Sequence, residues 1–239
     1  MSKILGFKQR ADNKLKIVSK SATKAEIILY AGIGQDFWGD GSMISAKQFS
    51  DELKNLGENV SEIDLRINSP GGDVFDGVAI YNRLKQHKAK INVYVDGLAA
   101  SIASIIALAG DEIHIGEGAL MMIHLPWTMA IGNRMELDNT VNRLLTVEEQ
   151  MVSIYQKKTG LNRAEIKAYL EKETWMNADE AIDLGFADEK FENATPIAAS
   201  AMNARWITRA PKNYRSETVA IDTAKNELKK KIQARLARK

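Results

Sequence analysis

The sequence predicts an α/β fold built on a mostly parallel sheet, and three observations carry that reading. Apolar strand-like runs and amphipathic helical stretches alternate from residue 25 to residue 124, the pattern of strand–helix–strand units. The run Ala25-Glu26-Ile27-Ile28-Leu29-Tyr30 is apolar and β-branched, as a buried strand is. Ala99 to Ala109 is almost wholly apolar, so this helix has no face left for solvent. Crossovers between parallel strands of one sheet are right-handed.

Taken in order, residues 1–23 are polar and Lys-rich and read as an arm without periodic structure. After the first strand, Gly32 to Met43 is a glycine-rich loop. Gly32-Ile33-Gly34 resembles the start of a dinucleotide fingerprint, but Phe37 stands at its third glycine position and no helix opens there, so that reading is rejected. Ser45 and Gln48 form a capping box for a helix from Ala46 to Leu56, with Phe49, Leu53 and Leu56 on its apolar stripe and Gly57 as its stop. Ile63 to Ile67 is the next strand. Asp73 caps a helix that runs to about Lys85, and Ile91 to Val95 is a strand again. The apolar helix Ala99 to Ala109 ends at Gly110. Glu112–Ile115 and Ala119–Ile123 are short strands, and Met135 to Lys158 is a long amphipathic helix stopped by Thr159-Gly160. Helices over Arg163–Leu170 and Ala178–Leu184 follow, with Thr174-Trp175-Met176 between them. Ala194 to Ala204 reads as a linker, and Asn226 to Lys239 as a basic helix. The expected domains are an arm over 1–23, one folded domain over 24–193, and a linker with a basic tail over 194–239.

The composition, 45% hydrophobic and 27% charged, is that of a soluble globular protein. With no cysteine, the chain has no disulfide, catalytic thiol or thiolate metal site, and it suits a reducing cytoplasm. No apolar run is long enough for a membrane helix, and Met1 to Lys20 lacks the apolar core of a signal peptide. A cytoplasmic protein is expected. The net charge of +2 hides an asymmetry: residues 201–239 carry 11 Lys and Arg against 3 Asp and Glu, a net +8, which leaves the rest at −6.

Three stretches hold residues that suit acyl chemistry. Ser101 follows Gly97-Leu98-Ala99-Ala100 at the start of the apolar helix, where the amide of Ile102 is free to bind an oxyanion. A serine there is more commonly a plain helix cap, and a nucleophilic one needs a base within reach. The α/β-hydrolase elbow Gly-x-Ser-x-Gly is absent. Of three histidines, His87 sits at the polar C-terminal end of a helix and reads as exposed, and His114, alternating with Ile113 and Ile115, reads as pointing outward from a strand. His124 ends the apolar run Leu120–Ile123, at a strand end where sites on such sheets form. Ser69-Pro70-Gly71-Gly72-Asp73 is a turn whose backbone amides a ligand can approach closely. Each stretch alone is as well explained by ordinary structure.

Together and in this order, the three stretches resemble the Clp protease proteolytic subunit family, serine peptidases of the ClpP/crotonase fold. Ser69-Pro70-Gly71-Gly72 matches the family's glycine loop, Gly97-Leu98-Ala99-Ala100-Ser101 its nucleophile segment, and Met122-Ile123-His124-Leu125-Pro126 its histidine segment. The resemblance spans about residues 25–190. It implies repeated β-β-α units with a protruding handle helix, matched by Met135–Lys158. It implies Ser101 as nucleophile, His124 as general base, and the amides of Gly72 and Ile102 as oxyanion hole. Glu173 falls at the acid position, where the family commonly has Asp, and Glu171 is its rival. Substrate contacts fall on Gly71, Asp73, Val74, Leu125, Pro126 and Trp127, with Leu125–Gly132 as the strand that pairs with an extended substrate.

The resemblance further implies a ring homo-oligomer, with rings able to stack, and an AAA+ unfoldase as a candidate partner. No metal-ligand spacing or nucleotide loop occurs, so no cofactor is expected. Asp73-Val74-Phe75-Asp76-Gly77, Glu173-Thr174-Trp175 and the basic tail are similar to Clp-like peptidases of tailed phages and prophages, which implies head maturation with capsid or scaffold protein as substrate. In that case the prohead is a second expected location, besides the host cytoplasm. The tail's charge suits a polyanion. Its only aromatics, Trp206 and Tyr214, give little for base stacking, so a protein contact is favoured over nucleic acid. Two alternatives belong to other classes: a crotonase-type acyl-CoA enzyme, and a ring-forming scaffold with a dead triad.

Overall fold

The structure is a computed structural model of the chain, and it describes residues 15–36, 41–57 and 59–192. The linker and the basic helix expected over Asn226–Lys239 lie outside these residues, as does the start of the expected arm. Leu15–Ser19, at the other end of that arm, is a strand. This β1 pairs antiparallel with β2 (Lys24–Leu29), from Leu15 opposite Leu29 to Ser19 opposite Ala25. Its residues lack the apolar run that marks a central strand, because an edge strand is paired on one side only.

The short strands β3 (Gly32–Ile33) and β4 (Met43–Ile44) pair with each other, and helix α1 (Ala46–Asn55) follows. Ser45 caps α1 by accepting from the Gln48 amide at 3.2 Å, the serine half of the expected box. Next come β5 (Glu62–Ser69) and α2 (Val74–Lys85), which Asp73 caps through the Asp76 amide at 2.9 Å. Strand β6 (Lys90–Ala100) leads into α3 (Ile102–Ala107). Strands β7 (Glu112–Gly116) and β8 (Leu120–Ile123) precede the long helix α4 (Arg134–Thr159). The described chain ends with α5 (Arg163–Glu171), β9 (Thr174–Met176), α6 (Ala178–Asp183) and β10 (Glu189–Phe191).

The sheet runs β1-β2-β5-β6-β7-β10, parallel except at the β1 edge. Alternation sends Ile63, Leu65, Ile67 and Ser69 of β5 into the core, with Ile27, Leu29, Val93 and Val95 from its neighbours. On the opposite side Lys24 bridges Glu62 (2.6 Å) and Asp64 (2.9 Å), and Asn92 donates to both carboxylates. Nearer the strand ends, Asp96 of β6 accepts from Tyr30 Oη, just past β2 (2.5 Å), and from Arg66 Nε of β5 (2.9 Å).

β6 changes partner along its length, and this positions the site. Asn92–Val95 pair with β7, whereas Leu98–Ala100 pair with β8, so that Ala100 lies opposite Met122. The alanines expected to open the apolar helix are therefore strand. Their two paired edges outweigh alanine's helix preference, and the helix begins at Ile102.

Three further expectations are revised. His114 points to the face opposite the core, away from Ile113 and Ile115, but is covered there: it is 9% exposed, stacks on Tyr94 (centroids 4.5 Å apart) and lies 2.8 Å from Glu189 through Nδ1. The strand that covers it, β10, is too short and charged to show as a periodic run. Leu125–Gly132 is irregular in this single chain rather than a strand. His87, expected to be exposed, is half-buried, and its Nδ1 accepts from the Ala89 amide.

Candidate active site

Ser101 is the residue where β6 becomes α3. Its φ of 55° and ψ of −129° are unusual for a residue with a side chain, and its hydroxyl makes no capping bond to the helix. A plain cap has extended backbone and a side chain turned back onto the helix amides. Here the backbone turn swings the side chain away from them. The Ser101 amide donates to Met122 O at 2.8 Å, which pins the turn to β8, and the hydroxyl reaches Nε2 of His124 at 2.8 Å. The β6–β8 register explains the meeting: Ala100 faces Met122, so one further residue on one strand and two on the other bring Ser101 and His124 side by side.

Strand β9 supplies the third group. It pairs antiparallel with β8, with Thr174 opposite Ile123, which sets Glu173 beside His124. Glu173 also has positive φ, 50°. Its Oε2 lies 3.9 Å from His124 Nδ1, within ion-pair range and beyond hydrogen-bond length, while Oε1 accepts from Trp175 Nε1 at 3.3 Å. The Glu173 side chain is 43% exposed. Glu171, its rival, is the exposed last residue of α5 and forms no ion pair with His124.

His124 is half-buried, and that burial pushes its imidazole below the usual range, with the Glu173 carboxylate pulling it part of the way back. A base must be neutral, so the acid limb of any rate that uses His124 is expected below the ordinary imidazole value of ~6.5. In Glu173→Gln the upward pull is gone, and the limb moves further toward acid. Rates measured against pH for both proteins check this. A wild-type limb above that value, or an upward move in the variant, contradicts it.

The glycine loop lies against the same turn. A Cβ on Gly71 would stand 2.8 Å from Ser101 Cβ, 2.6 Å from Ala100 O and 3.1 Å from the Ile102 nitrogen. The Ile33 backbone clamps the loop by donating to Gly71 O and accepting from the Asp73 amide, both at 2.8 Å. This leaves the amide of Gly72 without an acceptor among the described residues, as is that of Ile102, the first residue of its helix.

Of the expected substrate contacts, the Asp73 carboxylate is engaged in capping α2, and the Leu125 amide donates to Leu170 O at 3.2 Å. Val74, Leu125 and Pro126 are half-buried, and Trp127 is exposed. Two residues outside the motifs reach the Ser101 turn from behind. Ser104 shows in the sequence only as the lone polar residue of Ile102–Ala107, and Tyr155, far along the chain, carries no local signal.

Comparison with known proteins shows what the whole chain is similar to. The profile of the family described as Clp protease matches residues 10–194. The ATP-dependent Clp protease proteolytic subunit 1 of Chlamydia abortus is 33% identical over 141 residues, covering 57% of this chain and 72% of that protein. The protein of the same name from Protochlamydia amoebophila is 32% identical over 166 residues, covering 68% and 79%. The ATP-dependent Clp protease proteolytic subunit of Deinococcus radiodurans is 31% identical over 133 residues, 54% of this chain and 64% of that one. Among solved structures, a mutant of ClpP1 from Listeria monocytogenes superposes with a TM-score of 0.60 at 23% identity, over 72% of this chain and 93% of that one. That likeness concerns the fold.

Proposed function

From the premise that this chain belongs to the Clp protease family, we propose that it is a serine endopeptidase working through Ser101, His124 and Glu173. The observation that carries this reading is the 2.8 Å contact between Ser101 Oγ and His124 Nε2 at a backbone turn that frees the hydroxyl from capping. Ser101 Oγ attacks the scissile carbonyl carbon as His124 Nε2 takes its proton. The carbonyl oxygen, now negative, is held by the amides of Gly72 and Ile102. Collapse of the tetrahedral intermediate expels the amine, which receives the proton back from His124, and water repeats the sequence on the acyl-enzyme. Glu173, 3.9 Å from His124 Nδ1, steadies the imidazolium by its charge.

Met135, Leu137, Val141 and Leu145 of α4 are exposed apolar residues, which supports a ring homo-oligomer that covers the handle helix. The relatives are named ATP-dependent, which supports a separate ATP-driven unfoldase as partner. No described helix is long and apolar enough to cross a membrane. Within this activity, the Asp73–Gly77 and Glu173–Trp175 variants and the basic tail favour a phage-type head maturation enzyme that cuts capsid or scaffold protein.

The tests are labelling of one portion of the purified oligomer with a fluorophosphonate, located by peptide mapping, and incubation of a second, unlabelled portion with tailed-phage capsid protein. Label on Ser101 and a trimmed capsid chain are expected. If the oligomer takes label but its unlabelled portion leaves capsid protein uncut during assembly, the narrower reading is removed, and an oligomer that takes no label removes the broader one.

A further inference from the structure

Ser104 and Tyr155 form a buried relay that ends on the carbonyl of Ser101. The Ser104 amide donates to Ser101 O at 3.0 Å, and the Ser104 hydroxyl donates to the same oxygen at 2.6 Å. A hydroxyl has one hydrogen, so Ser104 Oγ faces Tyr155 as an acceptor and the Tyr155 hydroxyl, 2.8 Å away, is the donor. Both residues are fully buried. Burial pushes the Tyr155 hydroxyl well above its usual range, so it keeps the proton it donates. Tyr155 sits near the C-terminal end of α4, its ring packed against Phe186.

A serine hydroxyl bonded back to a carbonyl one turn earlier is common in helices and by itself means little. Here the carbonyl belongs to the candidate nucleophile, and the peptide unit it starts ends in the Ile102 amide. A peptide unit is planar, with its C=O and N–H on opposite sides. Two donors that hold the oxygen therefore also aim the N–H. By drawing charge onto the oxygen they make that N–H a stronger donor, since linked hydrogen bonds polarise one another.

We propose that Ser104 and Tyr155 are positioning residues that orient and strengthen the Ile102 amide as an oxyanion donor, so that the base of the handle helix helps set the rate at Ser101. The inference rests on the serine-peptidase reading above. Removing a whole oxyanion donor costs about 10²–10³-fold in rate. Weakening one is expected to cost about ten-fold in Ser104→Ala and a few-fold in Tyr155→Phe.

The experiment compares full-length wild type, Ser104→Ala, Tyr155→Phe and the double variant for fluorophosphonate labelling rate at Ser101, its pH dependence, and melting temperature. Ser104→Ala leaves a buried tyrosine hydroxyl without an acceptor and is expected to melt lower. The double variant removes both polar groups and is expected to recover much of that loss. Its labelling is expected to stay as slow as that of Ser104→Ala, with the acid limb unmoved, because His124 is untouched. If rate recovers together with melting temperature, or if a folded Ser104→Ala or Tyr155→Phe labels at the wild-type rate, the relay is only structural and the proposal falls. Wild type that takes no label overturns the peptidase reading, and this inference with it.

Discussion

Ser101→Ala is expected to lower peptide hydrolysis on the order of 10⁴- to 10⁶-fold while leaving the fold in place. The hydroxyl's hydrogen bond is to His124, so its loss strands no other buried group. The Ser101 amide keeps its bond to Met122, and alanine meets the same backbone demand at φ 55°. Stability is expected within about 1 kcal/mol of wild type. His124→Ala is expected to fall into the same range. The double variant is expected to be no slower than either single one, because nucleophile and base act as one unit and their losses do not add. Steady-state rates on a fluorogenic peptide, beside melting curves, check all three. More than a tenth of wild-type activity in Ser101→Ala would remove Ser101 as the nucleophile.

The largest structural effect is expected from Gly72→Ala. A Cβ at Gly72 would stand 2.0 Å from Ile33 O and 2.9 Å from Ile33 C and N. These are backbone atoms of the strand that clamps the loop, so no rotamer change relieves the overlap. The φ of 149° is itself poorly suited to a side chain. Accommodation means breaking the Ile33 bonds to Gly71 and Asp73, at about 3–5 kcal/mol, near the top of what one substitution does. Any folded fraction is expected to take no label, because the Gly72 amide is displaced with the loop. Gly118→Ala is the control: nothing lies within 4 Å of its Cβ, and a change under about 0.5 kcal/mol is expected. Urea unfolding of the two variants decides it, and a Gly72→Ala midpoint close to that of wild type would contradict the account.

Much of this architecture was legible without coordinates because its signals are local. Helix starts at Ser45 and Asp73 and stops at Gly57, Gly160 and Gly185 are written in residues within a turn of the boundary, and the structure places caps and positive φ there. The alternation of strand and helix reached the right sheet class for the same reason. The three motifs held Ser101, His124 and the glycine loop, the resemblance they carry added Glu173 with Glu171 as its rival, and the fold brings Ser101, His124, the loop and Glu173 to one place.

Features that depend on a partner far along the chain were not legible. Ala99 and Ala100 are good helix formers, and pairing with Met121 and Met122 on one side, and of Ala99 with Ser69 on the other, makes them strand. His114 alternates like an outward residue until β10, absent from any periodic signal, covers it. Between Glu171 and Glu173, two residues apart, the choice depended on the β8–β9 register, which sets one beside His124 and leaves the other at a helix end.

The sequence by itself determined the sheet class, most element boundaries and the chemical types available, because propensity, capping and periodicity act over a few neighbouring residues. The tertiary structure decided which strand β6 pairs with at each end, which glutamate faces the histidine, and that a tyrosine 51 residues beyond Ser104 stands behind the nucleophile's carbonyl. Those outcomes follow from burial and hydrogen bonding between distant segments. No short window of sequence holds both partners of such a contact.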